Sequence, residues 1–436
     1  MSIPTLQGLQ TALSGLIAEQ AALDVTGNNI ANSDTEGYSR ETAVLQTNQP
    51  IVIPAISPLT GKGAQLGTGV SVGSITRVRN IYLDAQYRTQ NSALSAASTS
   101  SEELTQAQAA FNEPSSSGLA SGLSAFWSAW NDLANAPNNE AKQAVVGAGQ
   151  QLASMFHELN AQLTTISTQA VEHYKTLTGA SGEVQSDATQ IAQLNGQIKL
   201  AEEAGQQPGE MLDRRDLLLD KLSSLAQITV SQQPDGTDTV SFGDAAKPLV
   251  EGTTVNWPQT LTESAGGQLG ALLSLTSPSG ALSSYQTALN NVAGTVISTV
   301  NALHTSTPFF SGTTAATIAV AVNASQVQTS STADAGGNDV AQAIAALRGG
   351  AAEQGYASLV EQVGSGVQAA KDDQSNLQTT VTAIENQRQS VSGVSLDEEM
   401  TNLISFQRGY QASARTLTAM DSMLETLIEH TGTVGL

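Results

Sequence analysis

The chain has 436 residues, no cysteine and a formal net charge of -22; its length allows two to four domains. Without cysteine, disulfide scaffolds, thiolate zinc sites and cysteine nucleophiles are excluded. The acidity, with no local basic patch to offset it, argues against nucleic acid or an anionic membrane as partner. The 7 Phe, 7 Tyr and 3 Trp are few beside the abundant Ala, Ser, Thr, Gln and Leu, a composition suited to long, thin helical packing rather than a deep aromatic-lined pocket.

The opening MSIPTLQ lacks the basic region and apolar core of a cleavable signal, and no run approaches the ~18 apolar residues of a membrane span. Neither membrane insertion nor ordinary signal-peptide secretion is expected. Pro4 can occupy a first helical turn. From Leu6 the apolar positions alternate three and four apart. Leu9, Leu16, Leu23 and Ile30 share one heptad position, Leu6 and Leu13 form the companion row, and Gln20 and Gly27 interrupt it,. The spacing predicts a helix that runs into NNIANSDTEGYSR, residues 28–40. Asn28, Asn29 and Asn32 form helix poorly and tolerate turns, and Gly37 accepts positive φ, so the chain is expected to bend outward here. Tyr38 then serves as an amphipathic anchor, and Arg40 as a fork for a carboxylate or carbonyl.

Beyond this joint, Pro, Gly and β-branched residues dominate to about residue 78, and Val70, Val72 and Ile75 suggest short strands. The cluster GKGAQLG, residues 61–67, reads as a loop. Helices are predicted from about 80 to 226. Within them Trp127 and Trp130 lie on one side with Leu123 and Leu133, as core anchors. The block MLDRRDLLLDKLSSLA, residues 211–226, carries Asp213, Arg214, Arg215, Asp216, Asp220 and Lys221. These read as a solvated or ion-paired face opposite Leu218, Leu222 and Leu225 rather than an acid–base site.

ITVSQQPDGTDTVSF, from residue 228, is a hairpin pattern turning at Pro234, Asp235 and Gly236, with Asp235 and Asp238 in a solvated turn. Helix is expected over 271–304 and again over 340–389, and the turn-rich 305–339 is grouped with the β-rich part. The last helix repeats the first one's pattern. Leu396, Leu403, Tyr410, Leu417 and Leu424 are seven apart, and Met400, Ala414 and Ile428 supply part of a companion row,. Ser395 and Glu398 form a capping box, Asp397 adds negative charge to the first turn, and Gly432 can stop the helix.

The expected fold is mainly α with a smaller β-rich lateral domain, elongated and multi-domain, its N- and C-terminal helices pairing as a coiled coil. The division predicted is an inner domain of 1–60 and 395–436, a helical middle domain of 61–225, 271–304 and 340–394, and a β-rich outer domain of 226–270 with 305–339. His157, His173, His304 and His430 show no metal-ligand spacing and read as helix-face or loop residues. H-E-x-x-H, G-x-S-x-G and P-loop patterns are missing, and 226–339 shows no coherent nucleophile, base or metal set. No cofactor, metal site or enzymatic activity is expected.

Both terminal seams are narrow and interrupted by Ala, Gln and Gly, so an isolated terminal helix buries too little to offset its ordering entropy. Two readings remain open: contacts that form only between subunits, or an intramolecular antiparallel pair that closes a monomer.

The stretch ALDVTGNNIANSDTEGYSR, residues 22–40, resembles the N-terminal signature of the bacterial flagellar axial proteins, the rod, hook and hook-associated subunits. VSLDEEMTNLISFQRGYQASARTLTAMDSMLETLI resembles their C-terminal signature. The inner blocks GVSVGSITRVRNIYLDAQYR, FWSAWNDLANAPNNEAKQAV, MLDRRDLLLDKLSSLAQITV and GGQLGALLSL are similar, in the same order, to the hook-associated branch. Together they cover roughly half the chain, with little likeness over 305–339. The resemblance implies a non-enzymatic extracellular subunit of the bacterial flagellum, exported by the type III route without cleavage, that forms the layer between hook and filament. Its implied partners are hook protein on the proximal side, a second junction protein on the distal side, further copies of itself, and a cytosolic export chaperone on the C-terminal helix near Leu403 to Leu427. Expected subunit and partner contacts are Leu9, Leu13, Leu16, Leu23, Asn29, Ile30, Asn32, Gly37, Tyr38, Arg40, Leu396, Leu403, Tyr410, Leu417 and Leu424. Rival readings are another axial subunit, such as a hook or distal rod protein, or a secreted coiled-coil effector or adhesin.

Overall fold

The computed structural model describes residues 4–53, 64–332 and 336–430. Gly61 to Gly63 of the glycine cluster and the helix stop expected at Gly432 lie outside the described residues, as does the side chain of Leu6. The spine is made of two long helices, α2 (Ile81–Phe111) and α10 (Ala351–Ser392). Asn80 starts α2 by accepting hydrogen bonds from the N–H groups of Tyr82 and Leu83, which satisfies donors that a helix start leaves free. The two run antiparallel: Arg388 reaches Asp84 at one end (2.9 Å), and Phe111 lies 6.4 Å from Tyr356, ring centre to ring centre, at the other.

At the end far from the chain termini, α3 (Leu119–Asn135), α4 (Asn139–Thr178), α8 (Ala281–Leu303) and α9 (Asp339–Ala345) pack against this spine. Trp127 and Trp130 are buried in the core here, in the anchoring role expected of them. Phe309 sits 5.3 Å from Trp130 and 5.8 Å from Phe126, and Phe310 sits 5.4 Å from Phe126. The strands β9 (Phe310–Ser311) and β10 (Ala319–Val320) therefore belong to this core. This departs from the grouping of 305–339 with 226–270: two adjacent phenylalanines gain most where a tryptophan helix already excludes water. His304, the residue that follows α8, is a loop histidine as expected and is buried. Its Nδ1 faces the Thr307 carbonyl at 2.5 Å and its Nε2 accepts the Gln328 N–H at 2.8 Å, which assigns the ring proton to Nδ1. Burial lowers its pKa.

A second core gathers α5 (Glu183–Glu203), α6 (Gly209–Leu225), α7 (Gly267–Thr276) and a four-stranded antiparallel meander. Its strands are β5 (Ile228–Gln232), β6 (Asp238–Phe242), β7 (Val250–Glu251) and β8 (Thr254–Val255), in that order. The β5–β6 hairpin turns at Pro234 to Gly236 as predicted, with Gly236 at φ +78°. Asp238 is not solvated. It is buried and paired with Arg215 at 3.0 Å, while Asn195 accepts the Asp238 N–H and donates to its carbonyl.

The terminal elements lie beyond the other end of the spine. α1 (Pro4–Ala31) and α11 (Leu396–His430) pair with each other. A ribbon of β1 (Glu41–Thr47) and β4 (Val70–Arg77) runs alongside α1, and it continues into the short pair β2 (Ile51–Ile53) and β3 (Ala64–Leu66). No helix among the described residues is long and apolar enough to cross a membrane.

Candidate functional site, the terminal helix pair and its joint

The seam between α1 and α11 is built from small residues. A methyl group added at Gly8 would lie 2.6 Å from Met420 Cε, one at Gly15 3.1 Å from Ser413 Oγ, and one at Gly409 2.6 Å from the Glu19 carboxyl carbon. Further along, Asn29 Nδ2 donates to Glu399 Oε2 at 3.1 Å. In each of these four pairs the two residue numbers add to the same total, so the helices are antiparallel and keep one register throughout.

The row in contact is Gly8, Gly15, Ala22 and Asn29, one residue before the leucine row expected from periodicity. Ala12, Ala18, Ala22 and Val25 are buried, whereas Leu9, Leu16, Leu23 and Ile30 are half-buried flanks. The physical reason is distance: glycine and alanine let two backbones approach, and leucine at the same positions would hold them apart. On α11 the Leu403, Tyr410, Leu417 and Leu424 row is half-buried. Its companion row is Glu399, Phe406, Ser413 and Met420; of the expected companions Ala414 is half-buried, while Met400 and Ile428 are exposed.

The pair therefore leaves much of its apolar surface uncovered. Leu13 is 45% exposed and Ile17 56%, with Gln10, Gln20, Asp24 and Gly27 continuing the open face of α1. On α11, Leu396, Met400, Ile404, Met423, Leu427 and Ile428 are all exposed.

The joint explains the asparagine-rich segment. Asn28 and Asn29 stay within α1, which ends at Ala31, so they do not break the helix. Asn29 is a clamp instead: its Oδ1 accepts from Tyr38 Oη (2.9 Å) and from the Glu41 N–H (2.9 Å), and its Nδ2 donates to the Glu41 carbonyl (2.9 Å) as well as to Glu399. Asn32 donates to Asn28 Oδ1 and accepts from Thr35. Gly37, at φ +80°, supplies the left-handed residue needed to reverse the chain beside Leu217,. Arg40 joins both connections between the helix pair and the body. Its N–H donates to the Ser392 carbonyl (2.9 Å), its carbonyl accepts from the Val78 N–H (2.8 Å), and its guanidinium meets Glu398 at 2.8 Å. Glu398 thus turns to Arg40, and the capping of α11 by Ser395 is one-sided. Leu9, Leu13, Leu16, Leu23, Ile30 and the α11 row lie along one helix pair, while Asn29, Asn32, Gly37, Tyr38 and Arg40 gather at its base.

Immediately below the joint, α6 contributes the charged block. Asp213 accepts from the Ser39 N–H (3.0 Å) and hydroxyl (2.7 Å) and from Arg77 (2.6 Å). Asp216 meets Arg77 (3.0 Å), Arg79 (3.2 Å) and Arg88 (3.1 Å). Asp220 meets Arg88 (2.7 Å) and Arg388 (2.8 Å), and Asp84 meets Arg79 and Arg388. Arg388 also lies 4.2 Å from the centre of the Tyr87 ring,. This is a knot of ion pairs between the end of β4, α2, α6 and α10, largely shielded from solvent. Sequence reasoning found the ion pairing but could not tell that most of this face is interior, because the partner arginines are more than a hundred residues away from the block. Burial raises the Asp216 pKa, but Arg79, Arg88 and Arg77 outweigh it and hold the group below the usual carboxylate value,.

Replacing Asn29 and Asn32 by Leu is expected to loosen the joint between the helix pair and the body while the body remains folded. The change strands the buried Glu399 without its Asn29 partner, a cost of about 1–3 kcal/mol, and removes the acceptor of the half-buried Tyr38 hydroxyl,. Hydrogen exchange of the purified variant beside its circular dichroism checks it, and unchanged protection of the amides around residues 29–41 would contradict it.

Three family models match. Residues 9–38 match "Flagella basal body rod protein", residues 104–264 match "Flagellar hook-associated protein FlgK helical domain", and residues 384–429 match "Flagellar basal body rod FlgEFG protein C-terminal". Flagellar hook-associated protein 1 of Bacillus subtilis is 30% identical over 99% of both chains. Its namesake in Salmonella typhimurium is 31% identical over 56% of this chain and 42% of its own length. The solved structure of the flagellar hook junction protein FlgK from Burkholderia pseudomallei matches with a TM-score of 0.45 at 26% identity, covering 50% of this chain and 43% of that one.

Proposed function

The chain belongs to the family of flagellar hook-associated protein 1, and from that premise we propose how it works as a structural subunit of the hook–filament junction. The observation that carries the reading is the terminal pair. α1 and α11 meet through glycine and alanine and leave Leu13, Ile17, Leu396, Met400 and Ile404 open to solvent. Such a pair becomes rigid when its open stripes are covered by neighbouring axial subunits, so folding of the termini is coupled to assembly. The joint then transmits the position of the inner helices to the body through Asn29 and Arg40.

On this reading the proximal face receives hook protein and the distal face the second junction protein, and copies of the chain form one thin layer. The heptad rows on both helices, with Asn29, Asn32, Gly37, Tyr38 and Arg40 at their base, are the proposed contact region. The inner, helical and β-rich division of the chain is retained in outline, with 305–339 reassigned to the helical part. Before export the open rows of α11 from Leu403 to Leu427 offer an apolar face to a cytosolic chaperone, and passage without a cleaved signal is part of the same proposal. The test is electron microscopy of flagella from a deletion strain. Hooks without filaments, with filament monomer leaking into the medium, are expected; normal filaments would overturn the reading.

A further inference from the structure

Four-stranded sheets have two edges, and those of the meander differ. β8 is two residues long, too short to template another strand, whereas β5 has five residues and no proline, lysine or bulge to block pairing,. The direction of its backbone groups follows from its neighbours. Gln227 accepts from the Gly243 N–H and Gln233 donates to the Thr237 carbonyl, so residues 227, 229, 231 and 233 bond towards β6. By alternation, Ile228, Val230 and Gln232 direct their N–H and C=O groups outward. Asp238, opposite Gln232, confirms the parity, since its own backbone groups point away from β5 and are taken by Asn195. Ile228, Val230 and Gln232 line a cavity of about 450 Å³ together with Ile81, Ala85 and Arg88 of α2 and the charged Arg77, Arg79 and Asp216. Ile81 and the adjacent Tyr82 are 70% and 80% exposed, the kind of apolar and aromatic anchor that marks an interface.

The same chain carries a matching donor. The β2–β3 pair is a two-stranded sheet, and neither strand has a second strand partner among the described residues. Its six strand residues, Ile51–Ile53 and Ala64–Leu66, carry no charge, and they can approach the mixed-charge lining of that cavity without adding like-charge repulsion,. Within one molecule the two edges cannot meet. The β1–β4 ribbon starts beside Asn29 and reaches Ser14 of α1, where the Val70 N–H donates to Ser14 Oγ. At ~1.5 Å per helical residue this sets the ribbon tip roughly 20 Å from the joint, whereas the β5 cavity lies at the joint end, beside Arg77 and Arg79.

We propose that the open edge of β5 receives the β2–β3 ribbon of a second copy of this chain, extending the meander by strand addition across a head-to-tail contact. The proposal rests on the assembly reading above and deepens it by naming a lateral contact outside the terminal helices. Head-to-tail contacts of this kind build a ring or a helical layer, and main-chain bonding sets their register.

Val230→Pro is the direct test. Proline removes one outward donor and leaves the ladder to β6 intact. The purified variant is expected to keep its circular dichroism spectrum and melting temperature, yet reach hook ends in a deletion strain at least about tenfold less than Val230→Ala. A photo-crosslinking residue at Gln232 in assembled flagella is expected to capture residues 51–53 or 64–66 of another copy. Normal incorporation of Val230→Pro, or capture of a different protein, overturns the proposal. If Val230→Pro lowers the melting temperature, hydrogen exchange of the unmodified chain decides. The amides of Ile228, Val230 and Gln232 are expected to exchange at least about tenfold more slowly in flagella than in free chain, and equal rates overturn the proposal. Failure of the unmodified chain to appear at hook ends would sink the junction reading and this contact together, an outcome distinct from failure of Val230→Pro alone.

Discussion

Asp216→Ala is expected to destabilise the folded body by about 3–5 kcal/mol, the usual cost of removing one member of a shielded ion network. Asp216 touches Arg77, Arg79 and Arg88 at 3.0–3.2 Å; without it the four guanidinium groups of Arg77, Arg79, Arg88 and Arg388 share only the aspartates Asp84, Asp213 and Asp220. Urea unfolding followed by circular dichroism measures the loss, and a change below about 1 kcal/mol would show that the knot is solvated. Adding Arg88→Ala should recover part of the loss, because the second change removes a charge that the first left unpaired. The pH dependence has a definite sign. A carboxylate whose folded pKa is depressed, as for Asp216, contributes stability that is fully present above its unfolded pKa of about 4 and is lost as pH falls through the folded value. Asp238 works in the opposite direction, since burial raises its pKa despite Arg215. The acid-labile contribution of Asp216 should therefore vanish in Asp216→Ala, which would lose stability less steeply below pH 4 than the unmodified chain.

Trp130→Ala is expected to cost a similar 3–5 kcal/mol, for a different reason. The indole is fully buried, with Phe309 at 5.3 Å, Phe126 at 6.3 Å and His304 at 6.2 Å. Truncation opens a cavity where α3, the end of α8 and residues 305–328 meet. The expected readout is early cleavage within 305–328 by a non-specific protease, while the α6 knot and the β5–β8 meander stay protected. Equal protection of 305–328 in variant and parent would show that this segment does not depend on the tryptophan core.

Much of this was legible in the residues. The long helices, the 228–242 hairpin, the tryptophan anchors and the likeness of both ends to axial subunits follow from spacing, turn chemistry and motif. The helix pair was visible as two heptad patterns, but its seam was not placed correctly. Hydrophobic periodicity weights leucine, and the true contact row is Gly8, Gly15 and Ala22, which bury little area and act by allowing approach. The role of Asn29 was missed for a related reason. Helix propensity marks asparagine as a breaker, whereas here Tyr38, Glu41 and Glu399 reward it for staying helical. The joint signal was nonetheless present, since Gly37 and Tyr38 follow at the spacing that returns the phenol to Asn29. The 305–339 segment was misplaced because turn-rich composition says how a segment bends, not which core its two phenylalanines enter. The interior position of the charged α6 face depends on Arg77, Arg79, Arg88 and Arg388, whose convergence only the fold supplies.

The central physical claim is that α1 and α11 are held at the joint and loosen towards their far ends until other subunits cover them. Small-residue seams give close contact with little buried apolar area, and among the described residues eight large apolar side chains on the two helices remain exposed. Hydrogen exchange of the purified free chain tests this most directly. Amides near Asn29 and Glu399 should be protected, those from Gly8 to Leu16 and from Leu417 to Ile428 should exchange nearly as fast as in unfolded chain, and all should slow in assembled flagella. Full protection along both helices in the free chain would contradict the account.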